Sequence, residues 1–537
     1  MTNIYSMKIR DNKIILYIFP LLIFIFALFI RFYFFQGFVL CDDPSEVGLV
    51  ENIKYYLPTF NDQLVIRFGV WIFNSIFLRL LGMSEFSFFL PTVLMSASFG
   101  IIAYFLLIFW KYPRDHSFLA GLFISSAPFE VLIGTLRAND LIFSWLMALA
   151  FFSFIRFEKK PILQGILLAF FLWFGFYIKA WVIFFFPVLG IYYLVQILKC
   201  KKLKGFESFL IFSIILHGIT SIFWKIRTNT FIPWLYLHPA TYPAPKQQLF
   251  SLFQVYPKMV FVGSEFGTTL FGYVPYLLIL LLVAKIILSK SKRFSKSLRI
   301  DKPDIYLFAI YTSFFLLLNF FPDTYKFDQL YYAPRIFRYL TPISFPITLH
   351  LAKLVIDFGN VAFKFNRSFK RYGPILLFAV MIAANIYQVD NATKPGRIYR
   401  QALLSIVRDV KGQSPPQIVS ESWLGFFLRE VYLKGWENKV VIPPNYTIDD
   451  AKKYEDWLEK IEHGSPNGTI LITGLSSCVH YGCHNCGFRL KQFRHDLDYD
   501  WQLFREYDML TYLPIPEPAR LWILNNRTDA RITLKIF

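Results

Sequence analysis

Apolar runs recur along the first two-thirds of this chain, each closed by a short polar turn. They fall near residues 14–35, 87–110, 117–134, 140–155, 162–178, 181–198, 206–224, 270–288, 303–321, 341–356 and 374–390. Most are long enough to cross a hydrocarbon core as helices. The pattern predicts an α-helical polytopic membrane protein with about 11 transmembrane helices. From about residue 391 it changes. Gln417-Ile-Val-Ser, Lys439-Val-Val-Ile, Thr469-Ile-Leu-Ile-Thr and Leu521-Trp-Ile-Leu read as strands. Residues 422–435 and 448–463 read as helices, the second opened by Thr447 with Asp449 and Asp450 in its first turn. Alternating strands and helices predict a small C-terminal α/β domain with a partly parallel sheet. The expected division is a transmembrane domain over 1–390 and an extracytoplasmic domain over 391–537.

Composition supports the membrane class. Hydrophobic residues make up 55% of the 537 and charged ones only 17%, with 63 Phe, more apolar surface than a soluble protein of this length needs. Lys8, Arg10 and Lys13 precede the first run as in a signal peptide, but the run is too long for that and is expected to stay as an anchor.

The net charge of +20 invites a nucleic-acid partner until its distribution is considered. Lys111/Arg114, Arg156/Lys159/Lys160, Lys199 to Lys204, Lys290 to Lys302 and Lys364 to Arg371 all fall in turns on the side of the N-terminus. The positive-inside rule places that side in the cytoplasm, so the charge reports topology and no nucleic acid is expected. Loops 36–86, 225–269 and 322–340, together with the C-terminal domain, then face outward.

Candidate chemistry gathers on the outward side. Asp42-Asp43 follows the first span, with Glu46 and Glu51 close behind. Paired carboxylates at a membrane mouth are costly unless they meet a cation or take a proton; the bland alternative is a solvated acidic loop. Arg137, Asn139 and Asp140 occupy a short outward turn. Lys179 ends the fifth span between Tyr177 and Trp181, and Arg335 and Arg338 precede Tyr339 at the start of the tenth. Taken singly, each cation is an interfacial side chain reaching for water. Together, outward cations beside a carboxylate pair suggest an anion held at the membrane surface, such as the phosphate of a lipid carrier.

Four segments carry a family resemblance over roughly residues 14–360. They are Asp42-Asp43-Pro-Ser-Glu46; Arg67-Phe-Gly through Leu81-Gly-Met-Ser-Glu85 to Pro91; Leu136-Arg-Ala-Asn-Asp140; and the pair Gly175-Phe-Tyr-Ile-Lys179 with Arg338-Tyr-Leu-Thr-Pro342. In order and topology the chain resembles the C-type (GT-C) glycosyltransferases that use polyprenyl-phosphate sugars. Within them it is most similar to the protein O-mannosyltransferase and lipid A aminoarabinose transferase group. The resemblance implies an inverting transfer to a lipid, glycan or protein acceptor outside the cytoplasm, in the bacterial cytoplasmic membrane. Asp42 or Asp43 is the expected general base, and Lys179, Arg335 and Arg338 the expected donor-phosphate ligands. Glu46, Arg137 and Asp140 are expected to support the donor sugar or a divalent metal. Where that family usually shows Asp-Glu or a single Asp, this chain has Asp-Asp, which leaves open which of the two is the base.

Cys478, His480, Cys483, His484 and Cys486 lie within nine residues and suit a structural zinc site or a local disulfide. A transporter or flippase is the alternative function. It needs charges along a path through the bilayer, whereas the spans read as nearly free of Asp, Glu, Lys and Arg at their centres.

Overall fold

The computed structural model describes residues 13–37, 68–136, 138–200, 203–228, 231, 242–243, 249–263, 270–291, 298–320, 324–326, 329–332, 337–362, 367–420, 428–441, 466, 468–473, 501–507 and 519–524. The chain forms two compact units. One comprises Met1–Phe34, Tyr56–Phe73 and Leu90–Ala392; the other comprises Phe35–Tyr55, Asn74–Phe89 and Thr393–Phe537.

Every expected span coincides with helix. In chain order these are α1 (Lys13–Tyr33), α2 (Phe68–Leu81), α3 (Glu85–Phe109), α4 (Arg114–Ser125), α5 (Pro128–Leu136), α6 (Asn139–Arg156) and α7 (Pro161–Phe176). A 3-10 turn, Ala180–Phe185, leads into α8 (Phe186–Cys200), followed by α9 (Lys204–Thr228), α10 (Leu249–Phe261), α11 (Val274–Ser289) and α12 (Lys302–Phe320). A second 3-10 turn, Phe337–Leu340, opens α13 (Thr341–Ala362), and α14 (Arg367–Gln413) follows. Among the described residues seven helices are long and apolar enough to cross a membrane, or eight with α4 and α5 as one broken span. Tyr17–Tyr33, α2, α7 and α11 are shorter apolar helices. The protein is an integral membrane protein.

The third expected span breaks where its sequence requires it. Pro128 has no N–H to continue the helix and disfavours helical geometry at Ala127, so α4 and α5 meet at a 51° bend. Within the first unit, α13 is the core element, with 94% of its apolar stretch buried. By contrast α9 is only 11% buried and exposes Ile211, Ile214, Ile219 and Ile222, a face suited to lipid tails. Small residues let the helices approach closely: a Cβ on Gly100 would lie 2.6 Å from the carbonyl of Gly121. Two loops of this unit contribute a three-stranded antiparallel sheet that the apolar pattern does not announce. It contains β1 (Tyr242–Pro243), β2 (Thr324–Lys326) and β3 (Gln329–Tyr332) in the order β1-β3-β2.

The second unit carries a five-stranded sheet ordered β5-β4-β6-β8-β7. Parallel pairing joins β4 (Ile418–Ser420) to β5 (Val440–Val441) and to β6 (Ile470–Thr473); antiparallel pairing adds β8 (Ala519–Leu524) and β7 (Trp501–Tyr507). The four strands marked by sequence are present and β7 is additional. Of the expected helix over 422–435, the described part holds a π-helical turn, Leu428–Tyr432. The expected helix over 448–463 and the cysteine–histidine cluster lie outside the described residues.

Also in this unit, Glu85 accepts hydrogen bonds from Arg400 Nε (2.9 Å), Arg400 Nη2 (2.7 Å) and Tyr432 (3.0 Å). Arg400 covers the Phe35 ring at 5.1 Å. Gly37 has φ +75° and no room for a Cβ, which would run into Glu85 Oε1 and within 2.9 Å of Arg400 Cδ.

Candidate active site

Asp140 lies in the first turn of α6, where the helix dipole favours a carboxylate. Lys179 sits in the turn after α7: the amides of Ile178 and Lys179 both donate to the Gly175 carbonyl, at 3.0 and 2.9 Å, which ends the helix and turns the chain into Ala180–Phe185. Arg338 lies on the 3-10 turn before α13, where Thr341 donates its hydroxyl to the Arg338 carbonyl.

These three side chains meet. The Lys179 ammonium donates to Asp140 Oδ1, and Arg338 Nε lies 3.6 Å from Oδ2 of the same carboxylate. Lys179 Nζ also stands 4.4 Å from the centre of the Trp181 ring and 3.9 Å from that of Tyr339. The two rings meet edge-on with centroids 4.3 Å apart. Asp140 is 1% exposed, whereas Lys179 and Arg338 keep 11% and 12%. A shielded carboxylate is therefore bracketed by two cations that both retain access. In so shielded a setting charges act on one another more strongly than in bulk water. The aromatic walls keep the Lys179 ammonium in place by cation–π attraction.

Of the residues singled out by sequence, Asp140, Lys179 and Arg338 are thus brought together. Asp42, Asp43, Glu46, Arg137 and Arg335 lie outside the described residues. Both Asp140 oxygens face cations. Among the described residues no group of three or more His, Cys, Asp or Glu side chains is arranged to hold a metal ion.

Charges are buried toward the ends of the expected spans: Arg31, Glu130, Lys285, Asp304 and Lys353 are all buried on helices of the first unit. Lys285 Nζ lies 2.7 Å from both Asp304 Oδ2 and Asp357 Oδ2, and Lys353 lies 2.7 Å from Asp304 Oδ1 and 2.9 Å from Asp357 Oδ2. His350 approaches Asp304 at 3.3 Å, and the Tyr112 hydroxyl donates to Asp357 at 2.7 Å. Burial, and then the Asp357 charge, hold the Tyr112 phenol well above its usual range, hence neutral. This network occupies the ends of α11, α12 and α13 nearest the basic turns, opposite the ends that carry Asp140 and Arg338. Its charges close on one another and bind α11, α12 and α13 together. The signal for it was present in sequence as lone charges inside apolar runs.

No protein-family model matches the chain, and no curated protein matches it in sequence. Among solved structures it is similar to ArnT from Cupriavidus metallidurans bound to undecaprenyl phosphate, at 10% identity and TM-score 0.52, over 95% of this chain and 98% of that one. The apo state of the same ArnT gives 11% identity and TM-score 0.48 over 84% and 92%. The Archaeoglobus fulgidus oligosaccharyltransferase in apo form gives 10% and 0.45 over 85% and 69%. The likeness to ArnT across nearly the whole of both chains establishes a GT-C-like fold.

Proposed function

We propose that this protein is a membrane glycosyltransferase that moves a sugar from a polyprenyl-phosphate donor to an acceptor on the non-cytoplasmic side. The observation that carries the reading is the convergence of Asp140, Lys179 and Arg338 from three separate segments at one end of the bundle. The fold shared with ArnT, whose structure was solved with undecaprenyl phosphate, supports a lipid phosphate as the anion.

In this mechanism the acceptor oxygen or nitrogen attacks the anomeric carbon with inversion. Asp42 or Asp43 takes the acceptor proton as the new glycosidic bond forms, and the bond from the anomeric carbon to the phosphate oxygen breaks. The bonding pair leaves with polyprenyl phosphate, whose added negative charge Lys179, Arg338 and Arg335 stabilise. Asp140 holds Lys179 and Arg338 at a fixed separation and keeps an acceptor oxygen close to the donor sugar. No covalent enzyme intermediate is required.

The test is single-turnover transfer by the purified full chain in lipid nanodiscs, supplied with polyprenyl-phosphate sugars and an extract of envelope acceptors. Release of polyprenyl phosphate with stoichiometric appearance of glycosylated acceptor is expected. If no donor of this class is bound or consumed, the reading is wrong.

A further inference from the structure

Glu130 is the one acidic side chain of α5, and it is 0% exposed in the interior of the first unit. Among the described residues neither carboxylate oxygen has a hydrogen-bond partner of good geometry; the Ser344 hydroxyl, itself without another such partner, is the polar group nearest to offering one, and the Arg31 charge lies beside them. Arg31 is itself 0% exposed. Its Nε donates to Ser96 Oγ at 2.7 Å, Nη1 to the carbonyls of Ala27 at 3.0 Å and Ser125 at 2.9 Å, and Nη2 to the carbonyl of Ser96 at 2.9 Å. Four of its five N–H groups are thereby used. The carbonyl of Ser125 is one freed by the α4–α5 break, and Ser96 Oγ donates in turn to the carbonyl of Glu130 at 3.0 Å. Gly134 faces Ser96 so closely that any Cβ would collide with its hydroxyl.

A buried guanidinium held only by neutral acceptors still needs a countercharge in a membrane interior, and a buried carboxylate with no donor is costly. The fifth Arg31 N–H, the two Glu130 oxygens and the Ser344 hydroxyl supply the polar partners that an internal water requires. We propose that Arg31 and Glu130 form a water-bridged ion pair and that Glu130 is a positioning residue for the outward site. The pair joins α1 to α5, the helix whose chain turns into Asp140 at the start of α6, and Ser344 lies on α13, which Arg338 precedes. Glu130 is ten residues before Asp140 on the segment leading to it, and Ser344 is six residues after Arg338. Glu130 is six residues from the end of α5, and at 1.5 Å per residue it and Ser344 each lie about one and a half turns from the chain segment that carries the site. The positioning half of this inference rests on the proposed transferase reading; the ion-pair half does not.

Charge and shape rank substitutions of Glu130 in opposite orders, which makes the test discriminating. Gln preserves shape without charge; Asp preserves charge, and a water can fill the space it leaves. Thermal unfolding in detergent and donor-dependent transfer should be measured on the full chain for E130Q and E130D. E130D is expected to unfold at a higher temperature than E130Q and to keep kcat/KM within about threefold of wild type. E130Q is expected to lose about tenfold in kcat/KM or more, the scale of small displacements in a site. E130Q equal to or better than E130D in both measurements overturns the proposal. The expected order in unfolding but not in transfer overturns the positioning role and leaves the ion pair. If wild type itself shows no transfer, the transferase reading fails and the unfolding order alone judges the pair. Should neither Glu130 variant fold, R31K against R31M decides by the same logic, with K expected above M and the reverse order overturning the pair.

Discussion

Lys179 places its ammonium against Asp140, 39 residues earlier in the chain, and Asp140 in turn lies 3.6 Å from Arg338 on a third segment. The carboxylate is therefore a spacer between two cations. Removing its charge by Asp140→Asn frees both cations to move and to repel one another. We expect kcat/KM for the lipid donor to fall about tenfold to 100-fold, with a smaller further loss when Lys179→Met is added, because residues sharing one network are not additive. Steady-state kinetics of the two single variants and the double variant check this; full additivity would show that the contact is incidental.

The acidic pair should behave differently. Asp42→Asn and Asp43→Asn, tested separately, are expected to yield folded protein that still binds the donor, with at least one losing turnover about 100-fold or more. Lys179→Ala and Arg338→Ala are expected to weaken donor binding as well as turnover, since they meet the phosphate before and during the reaction. Normal transfer by both Asp variants would reduce the pair to a solvated loop.

The network of Lys285, Lys353, Asp304 and Asp357 carries a stability prediction. Lys353 is 0% exposed and contacts buried Asp304 and partly buried Asp357, so Lys353→Met leaves Lys285 alone between two carboxylates. A loss of about 3–5 kcal/mol is expected. The double replacement Lys353→Met with Asp357→Leu should recover part of it, because it removes a charge together with its partner. Thermal unfolding in one detergent measures both; an unchanged midpoint for Lys353→Met would show that the network is not a clamp.

Much of the fold was legible because a span declares itself by length and composition alone, whatever it later packs against. Lys179 and Arg338 were legible for a related reason, since both are cations at span ends on the side that the positive-inside rule would leave without them, and Asp140 was legible as a carboxylate in a short turn between two spans. Their mutual contacts were not, because Arg338 and Asp140 are almost 200 residues apart. Lys353 and Asp304 were overlooked because one charge hardly lowers the hydropathy of a long window, and its partner is 49 residues away. The strand β7 hid behind its own irregularity: a register shift between Leu503 and Arg505 inserts Phe504 and breaks the period-two alternation. β1, β2 and β3, of two to four residues, are too short to carry a pattern.

The basic turns predict an orientation that can be measured. Single reporter sites at Ser297 and Gly464 should respond oppositely, the first protected from a membrane-impermeant thiol reagent in intact cells after Ser297→Cys and the second labelled after Gly464→Cys. Equal responses would place the acidic loop and the C-terminal domain wrongly, and the proposed outward reaction with them.

The Tyr432–Glu85 contact predicts a pH dependence in the second unit. Burial and the Glu85 carboxylate both disfavour the phenolate, so the Tyr432 phenol is held well above its ordinary value of about 10. A group whose folded value is raised stabilises the fold fully below its unfolded value. That contribution fades as pH rises past it, at up to about 1.4 kcal/mol per pH unit. Wild type should therefore lose stability between about pH 9 and 11 more steeply than Tyr432→Phe, which has no phenol to ionise. At neutral pH wild type should be the more stable, because Tyr432→Phe forfeits a hydrogen bond to a carboxylate, a cost of about 1.5–3 kcal/mol. Unfolding midpoints of the two proteins followed from pH 7 to 11 should converge. Parallel curves would mean that Tyr432 reaches water readily and that its contact with Glu85 does not hold the fold.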